Sequence, residues 1–293
     1  MPVRSGQERG PRSDRDSAPL LAQGQGKERE ASMTSPELTE VADRAIGEYE
    51  DVGYTIFRHV IDDDLLGETN GHVEWLQEQH PDVPPERLGT EFVRDDPFWL
   101  RLVSDPRLLN IAELFIGPDI ALFASHYISK PPRSGKPVLW HQDGSYWPLE
   151  PMAVVSLWLA VDDSNETNGC MKVIPGSHRD ELSALRENTT TESVLGSEAD
   201  RDVDESKAVS LVLAAGDVEV HHPNIMHSSD ANRSEYRRCG LTIRYIPTST
   251  KIVSDEQPWN SAFHFRGRPG VNQYQPWPPF DPARHFRFVG ADV

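Results

Sequence analysis

Trp140-His141-Gln142-Asp143 places an imidazole and a carboxylate two residues apart, at the entrance to a long apolar and β-branched run. An extended chain sends residues i and i+2 to the same side, so His141 and Asp143 can reach one metal ion from a single short segment. A second histidine would complete a 2-His-1-carboxylate set, which leaves positions open on Fe(II) for a cosubstrate and O₂. His-x-Asp alone is a frequent surface-loop pattern, so the other half of the site has to be found. Three histidines qualify: His221 and His222, which end a strand, and His227, which opens a polar run ending at Arg237-Arg238. Spacing alone leaves all three open.

The elements that must position these residues change character along the chain. Residues 1–34 are rich in Gly, Ser, Gln and mixed charge, have little to bury, and read as a disordered tail. Ser35-Pro36 then looks like a helix start, with Leu38, Val41, Ala42, Ala45, Ile46 and Tyr49 at helical spacing and Gly53 as the stop. A short strand over Tyr54–Phe57 and a helix capped by Asp62-Asp63-Asp64 follow. Two more helical pieces surround Phe98–Leu100 and Leu108–Phe115. From Ile120 onward the pattern is one of short strands: 120–129, 152–161, 169–174, 209–213, 218–222 and 241–246. Helices first and strands after suggest an α+β protein, its strands forming a double-sheet barrel or jelly roll with the N-terminal helices outside. The polar, acidic insert at 177–207 reads as a mobile lid, and 248–293, rich in Pro and aromatics including Trp259, as an irregular wrap. On this reading residues 35–293 form one catalytic domain.

Composition removes several function classes. With 47 acidic against 29 basic residues, the net charge of −18 repels nucleic acid and anionic membranes, and no apolar run is long enough to span a bilayer. Two cysteines, Cys170 and Cys239, imply no disulfide framework, and the N-terminal stretch lacks a signal-peptide centre. The expectation is a cytoplasmic protein, a monomer or homodimer, whose partner is a small-molecule substrate.

Four segments together resemble the phytanoyl-CoA dioxygenase family, Fe(II)- and 2-oxoglutarate-dependent oxygenases of double-stranded β-helix (jelly-roll, cupin-like) fold. They are Trp140–Asp143, the strand containing Trp158, Asn168–His178, and the stretch from Asn224 to Arg238. The resemblance runs from about Thr39 to Pro247. It implies that His227 is the third ligand beside His141 and Asp143. It also implies that Arg238, eleven residues on, grips the distal carboxylate of 2-oxoglutarate. Gln142, Trp158 and Ser229 match positions that contact or shape the 2-oxoglutarate pocket, and the motif ending at His178 is structural. Residue chemistry supports an arginine, whose planar fork binds a carboxylate bidentately. In the last strand Arg238, Gly240, Thr242 and Arg244 share a polar face, opposite apolar Leu241, Ile243 and Tyr245. Arg244 is therefore the reserve carboxylate anchor, while Arg237 points away as a surface charge.

The activity implied is oxidation of a small metabolite, usually hydroxylation of an aliphatic carbon, with O₂ consumed and succinate and CO₂ released. Desaturation, epoxidation or cyclisation would use the same oxidant. Asp143 argues against the halogenases of this superfamily, which replace that carboxylate with Ala or Gly. The alternative from a different class is a cupin-like metal-binding or sensing module without oxygenase activity.

Overall fold

The computed structural model describes residues 35–256 and 260–291. The tail expected to be disordered, 1–34, and Trp259 of the expected wrap lie outside the described residues. Helices lead the chain: α1 (Ser35–Val52), α2 (Asp63–Gln79), α3 (Thr90–Val93), α4 (Pro97–Val103) and α5 (Pro106–Ile116), with strand β1 (Tyr54–Phe57) between the first two. Strands take over with β2 (Ile120–Lys130), β3 (Val138–His141), β4 (Leu149–Glu150), β5 (Val155–Ala160) and β6 (Met171–Val173). They continue with β7 (Leu185–Glu187), β8 (Ser197–Ala199), β9 (Val209–Ser210), β10 (Val218–His221), β11 (His227–Ser229), β12 (Arg238–Pro247), β13 (Lys251–Ile252) and β14 (Phe263–Arg266).

Two antiparallel sheets carry the fold. The larger has the order β1-β10-β5-β12-β2-β14 and the smaller β3-β11-β6-β9. Alternation on the large sheet separates two environments. Val155, Leu157 and Leu159 of β5 and Leu241, Ile243 and Tyr245 of β12 face outward into the main core with Leu76, Phe98, Trp99, Leu102 and Leu108 of the helices. The inner residues of the same strands, Ser156, Trp158, Arg238, Thr242 and Arg244, face the smaller sheet. Trp158 and Ala160 meet Met171 and Val173 there in a second, inter-sheet cluster. The molecule is the expected α+β double-stranded β-helix with helices packed outside.

Local chemistry explains the helix starts. The Asp62 side chain accepts the Leu65 N–H at 2.8 Å, Asp96 accepts the Trp99 N–H at 2.9 Å, and Pro97 and Pro106 each open a helix. Gly117, at φ +78°, closes α5 where a side chain would be strained. The helical layer is pinned to the sheet by polar groups inside the core. Trp99 Nε1 donates to Ser125 Oγ at 2.9 Å, and the Tyr245 hydroxyl donates to the Val103 carbonyl at 2.6 Å.

Within the insert at 177–207, β7 and β8 form a hairpin whose Leu185 pairs with Ala199. Two expectations need correction. The wrap is not wholly irregular, because β14 joins the edge of the large sheet beside β2. Arg237 is no surface charge; its guanidinium spans both carboxylate oxygens of Asp162 at 2.8 Å and also meets Asn70, tying α2 to the sheet. Among the described residues no helix is long and apolar enough to cross a membrane.

Candidate active site

The smaller sheet brings the ligand candidates together by register. His227, first in β11, lies opposite His141, last in β3, and their rings stand 4.0 Å apart between centroids. Gln142 continues the extended path, so Asp143 returns to the side of His141 before the chain curls into a short 3-10 turn at Asp143–Tyr146. His141, Asp143 and His227 are all buried and offer ligand atoms within 4.8 Å of one another.

The two histidines are presented in the same way. Nδ1 of His141 lies 2.8 Å from the Leu139 carbonyl, and Nδ1 of His227 lies 3.0 Å from that of Ile225. A carbonyl only accepts, so each Nδ1 carries the hydrogen and each Nε2 turns a lone pair to the cavity. Burial first, then His141, depresses the His227 pKa far below the usual imidazole value, which keeps it neutral. Asp143 Oδ1 faces these nitrogens at 3.5 Å from His141 Nε2 and 3.9 Å from His227 Nε2. Burial by itself would raise the Asp143 pKa, but its polar neighbours, Arg244 foremost, outweigh it and hold the group as a carboxylate. Two imidazoles and one carboxylate on one side of a site are a donor set that fits Fe(II).

The other histidine candidates are resolved by position. His222 points out of the cavity, packed against Tyr49 and His178, with its Nδ1 accepting the Asn224 N–H at 3.0 Å. His178 contacts the Glu50 carbonyl at 3.2 Å, in keeping with a structural motif. His221 is in the cavity but stands behind Asp143, with Nε2 3.5 Å from Oδ2 and Nδ1 2.8 Å from Glu219 Oε2. Burial favours neutral His221, yet Glu219 and Asp143 prevail and raise its pKa to about 9.

The metal candidates open onto a cavity of about 730 Å³, also lined by Ala124, Ile128, Trp147, Trp158, Ser229 and Arg238. Arg238 is 2% exposed and its Nε has no hydrogen-bond partner. Among the described residues no carboxylate pairs with it. Burial lowers its pKa to about 10, which still leaves it charged near neutrality. Its guanidinium lies 4.9 Å over the Trp158 ring, which in turn presses on Gly240 so closely that a Cβ there would sit 1.9 Å from the indole. A buried, unpaired cation beside an open cavity is costly unless an anion completes it.

Arg244, the reserve anchor, is already engaged. Nη2 lies 3.2 Å from Asp143 Oδ2, and Nη1 reaches His126 Nδ1 at 2.9 Å and the Thr242 hydroxyl. Gln142 also differs from expectation. Its side chain is fully buried, donates to the Asn224 carbonyl at 2.8 Å and accepts the Ser183 N–H at 2.7 Å, so it anchors the insert and does not line the cavity. Ser229 does line it, with Oγ taking a hydrogen bond of 2.7 Å from Lys130 Nζ.

Lys130, fully buried and the register partner of Arg238, lies just past the strand expected over 120–129, and the adjacent Pro131-Pro132 has the composition of a turn, which hides its role. Sequence reasoning also missed Glu219 and its link to His221. The signal was present: Val218 and Val220 alternate with Glu219 and His221, which puts an acid and an imidazole on one inner face.

Comparison with known proteins adds an independent line. The chain is 28% identical over 234 residues to the peroxisomal phytanoyl-CoA dioxygenase of Rattus norvegicus, covering 70% of this chain and 68% of that one. It is 29% identical over 266 residues to the ectoine dioxygenase of Bordetella bronchiseptica, covering 80% and 83%. It spans about half the length of several other curated relatives that it matches. The apo structure of the non-heme monooxygenase ThoJ superposes with a TM-score of 0.70 at 23% identity, over 81% of this chain and 90% of that one, a likeness of fold. The model of the phytanoyl-CoA dioxygenase family matches residues 49–240, well over half of the 293 present. On that span the chain belongs to the phytanoyl-CoA dioxygenase family.

Proposed function

We propose that this chain is an Fe(II)- and 2-oxoglutarate-dependent oxygenase that oxidises a small molecule held in the cavity. The observation that carries the reading is that a buried His141–Asp143–His227 set and a buried, unpaired Arg238 open onto one cavity. His141 and His227 through Nε2, and Asp143 through Oδ1, would hold the iron. Arg238 would take the distal carboxylate of 2-oxoglutarate on its fork, with Ser229 beside it and Trp158 beneath it. Lys130 donates to Ser229 and to the Asp230 carbonyl at 2.6 Å, which holds β11 in place beside the cavity. With Fe(II), 2-oxoglutarate and O₂ bound, one oxygen atom would enter succinate as CO₂ leaves, and the other would oxidise a substrate C–H bond.

Oxygen uptake and succinate formation that require both Fe(II) and 2-oxoglutarate test this, with a panel of small metabolites as stimulants. A chain that binds metal yet never consumes 2-oxoglutarate would instead be a sensing module.

The cavity argues for a compact substrate. Of its lining cations, Arg244 is engaged with Asp143, Arg238 is reserved for 2-oxoglutarate, and Arg87 donates to the Val194 carbonyl, while Glu86, Glu91 and Glu256 add negative charge. A CoA thioester brings several phosphate charges that such a wall repels. Acyl-CoA compounds are therefore expected to leave succinate formation at its basal rate, and stimulation by an acyl-CoA would refute this assignment.

The hairpin of the insert covers the cavity as a lid. Val194 and Leu195 line it, Arg87 clamps the Val194 carbonyl at 2.6 and 3.0 Å, and the Tyr146 hydroxyl meets Ser197 Oγ at 2.7 Å. A reactive centre needs water excluded once substrate is bound. Shortening the 185–199 hairpin is expected to spare iron and 2-oxoglutarate binding, weaken substrate turnover and raise uncoupled succinate formation. Full coupled activity in the shortened chain would reduce the hairpin to decoration.

A further inference from the structure

Asp143 has two oxygens in different surroundings. Oδ1 faces the imidazoles of His141 and His227, while Oδ2 is approached by Arg244 Nη2 at 3.2 Å, His221 Nε2 at 3.5 Å and Ser156 Oγ at 3.5 Å. These three donors are neighbours on the large sheet. Ser156 of β5 is the register partner of His221 of β10 on one side and of Arg244 of β12 on the other. They form one rung whose side chains project across the barrel to a carboxylate carried by the opposite sheet. Behind His221 stands Glu219, with 0% exposure, whose Oε2 is 2.8 Å from Nδ1. The Glu219 contact fixes the ring so that Nε2 faces Oδ2 of Asp143.

We infer that the His221–Ser156–Arg244 rung, backed by Glu219, holds Asp143 as a one-oxygen ligand. Oδ2 is taken up by the rung, and Oδ1 alone is left for the metal. A carboxylate free to rotate can bind a metal through both oxygens and close a position that the reaction needs for cosubstrate or O₂. Arg244 makes the shortest contact and is itself braced by His126, Thr242 and the Trp147 ring, 5.4 Å from its guanidinium carbon. Arg244 and His221 are thus positioning residues. The inference rests on the metal site proposed above.

The test is a Co(II) titration of the full chain without 2-oxoglutarate, following the visible absorption of bound Co(II), on wild type, Arg244→Leu, Arg244→Lys and His221→Asn. Thermal melts report folding. Arg244→Leu is expected to weaken Co(II) binding by about 10- to 100-fold, the usual effect of losing a partner of a metal ligand, and to change the shape of the absorption band. Arg244→Lys should recover part of the affinity, and His221→Asn should weaken binding less than Arg244→Leu. The 2-oxoglutarate KM at saturating Fe(II) should stay near the wild-type value. Unchanged Co(II) affinity and spectrum in Arg244→Leu, with the 2-oxoglutarate requirement raised, would overturn the inference and make Arg244 a cosubstrate anchor. If Arg244→Leu does not fold, Arg244→Lys and His221→Asn decide, and wild-type Co(II) affinity in both overturns it. Failure of wild type to bind Co(II) overturns the metal reading as well, which separates the two failures.

Discussion

His227→Ala is expected to abolish stoichiometric Fe(II) binding and all 2-oxoglutarate turnover, while His222→Ala leaves both close to wild type. The two residues lie five positions apart in sequence, but the turn between β10 and β11 sends their side chains to different places. His227 enters the barrel opposite His141, and His222 packs outside it against Tyr49 and His178. With three protein ligands, loss of one leaves a two-donor site in a buried cavity, too few to hold a divalent ion against water. His141→Ala and Asp143→Ala should match His227→Ala. Metal stoichiometry on desalted protein, checked against thermal melts, is the deciding measurement. A metal-bound structure with His222 coordinated and His227 remote would reverse the assignment.

The second large effect is expected at Arg238. Arg238→Ala should raise the 2-oxoglutarate requirement steeply and leave Co(II) binding nearly intact, because the guanidinium stands beside Trp158 and not against the metal ligands. Losing one partner of a buried charge pair costs about 2–5 kcal/mol, or roughly 30-fold to a few thousandfold in affinity. Arg238→Lys should recover little, since an ammonium cannot reproduce the two parallel bonds of the fork, nor stack on the indole in the same way. The change should appear in the KM for 2-oxoglutarate and in its Kd by calorimetry on the metal-loaded protein. An unchanged Kd in a folded Arg238→Ala would remove Arg238 from the site.

Much of this architecture is legible from local pattern. Asp62, Pro97 and Pro106 mark helix starts because capping and proline geometry are properties of a few adjacent residues. The alternation in β12 correctly divides Arg238, Gly240, Thr242 and Arg244 from Leu241, Ile243 and Tyr245, since a strand has a period of two whatever it packs against. The His-x-Asp spacing likewise places His141 and Asp143 on one side through extended Gln142.

What lies between distant segments was not legible in this way. The insert at 177–207 looked too polar to order itself, and its own composition does not hold it. Arg87, Gln142 and Tyr146 from elsewhere in the chain bind its backbone and hydroxyl groups. Gln142 and Arg244 carry side chains suited to a carboxylate or a cosubstrate, and only the partners supplied by the fold commit them, Gln142 to the insert and Arg244 to Asp143. Sequence by itself determined which residues could ligate a metal and which strand face was polar, because both follow from residue type and a two-residue repeat. Tertiary structure placed His227 and not His222 opposite His141, as the family resemblance implied, and it alone decided that His221, Ser156 and Arg244 converge on one oxygen. Those outcomes depend on strand register between segments far apart in the chain, and a shift of one residue would turn every one of these side chains to the other face.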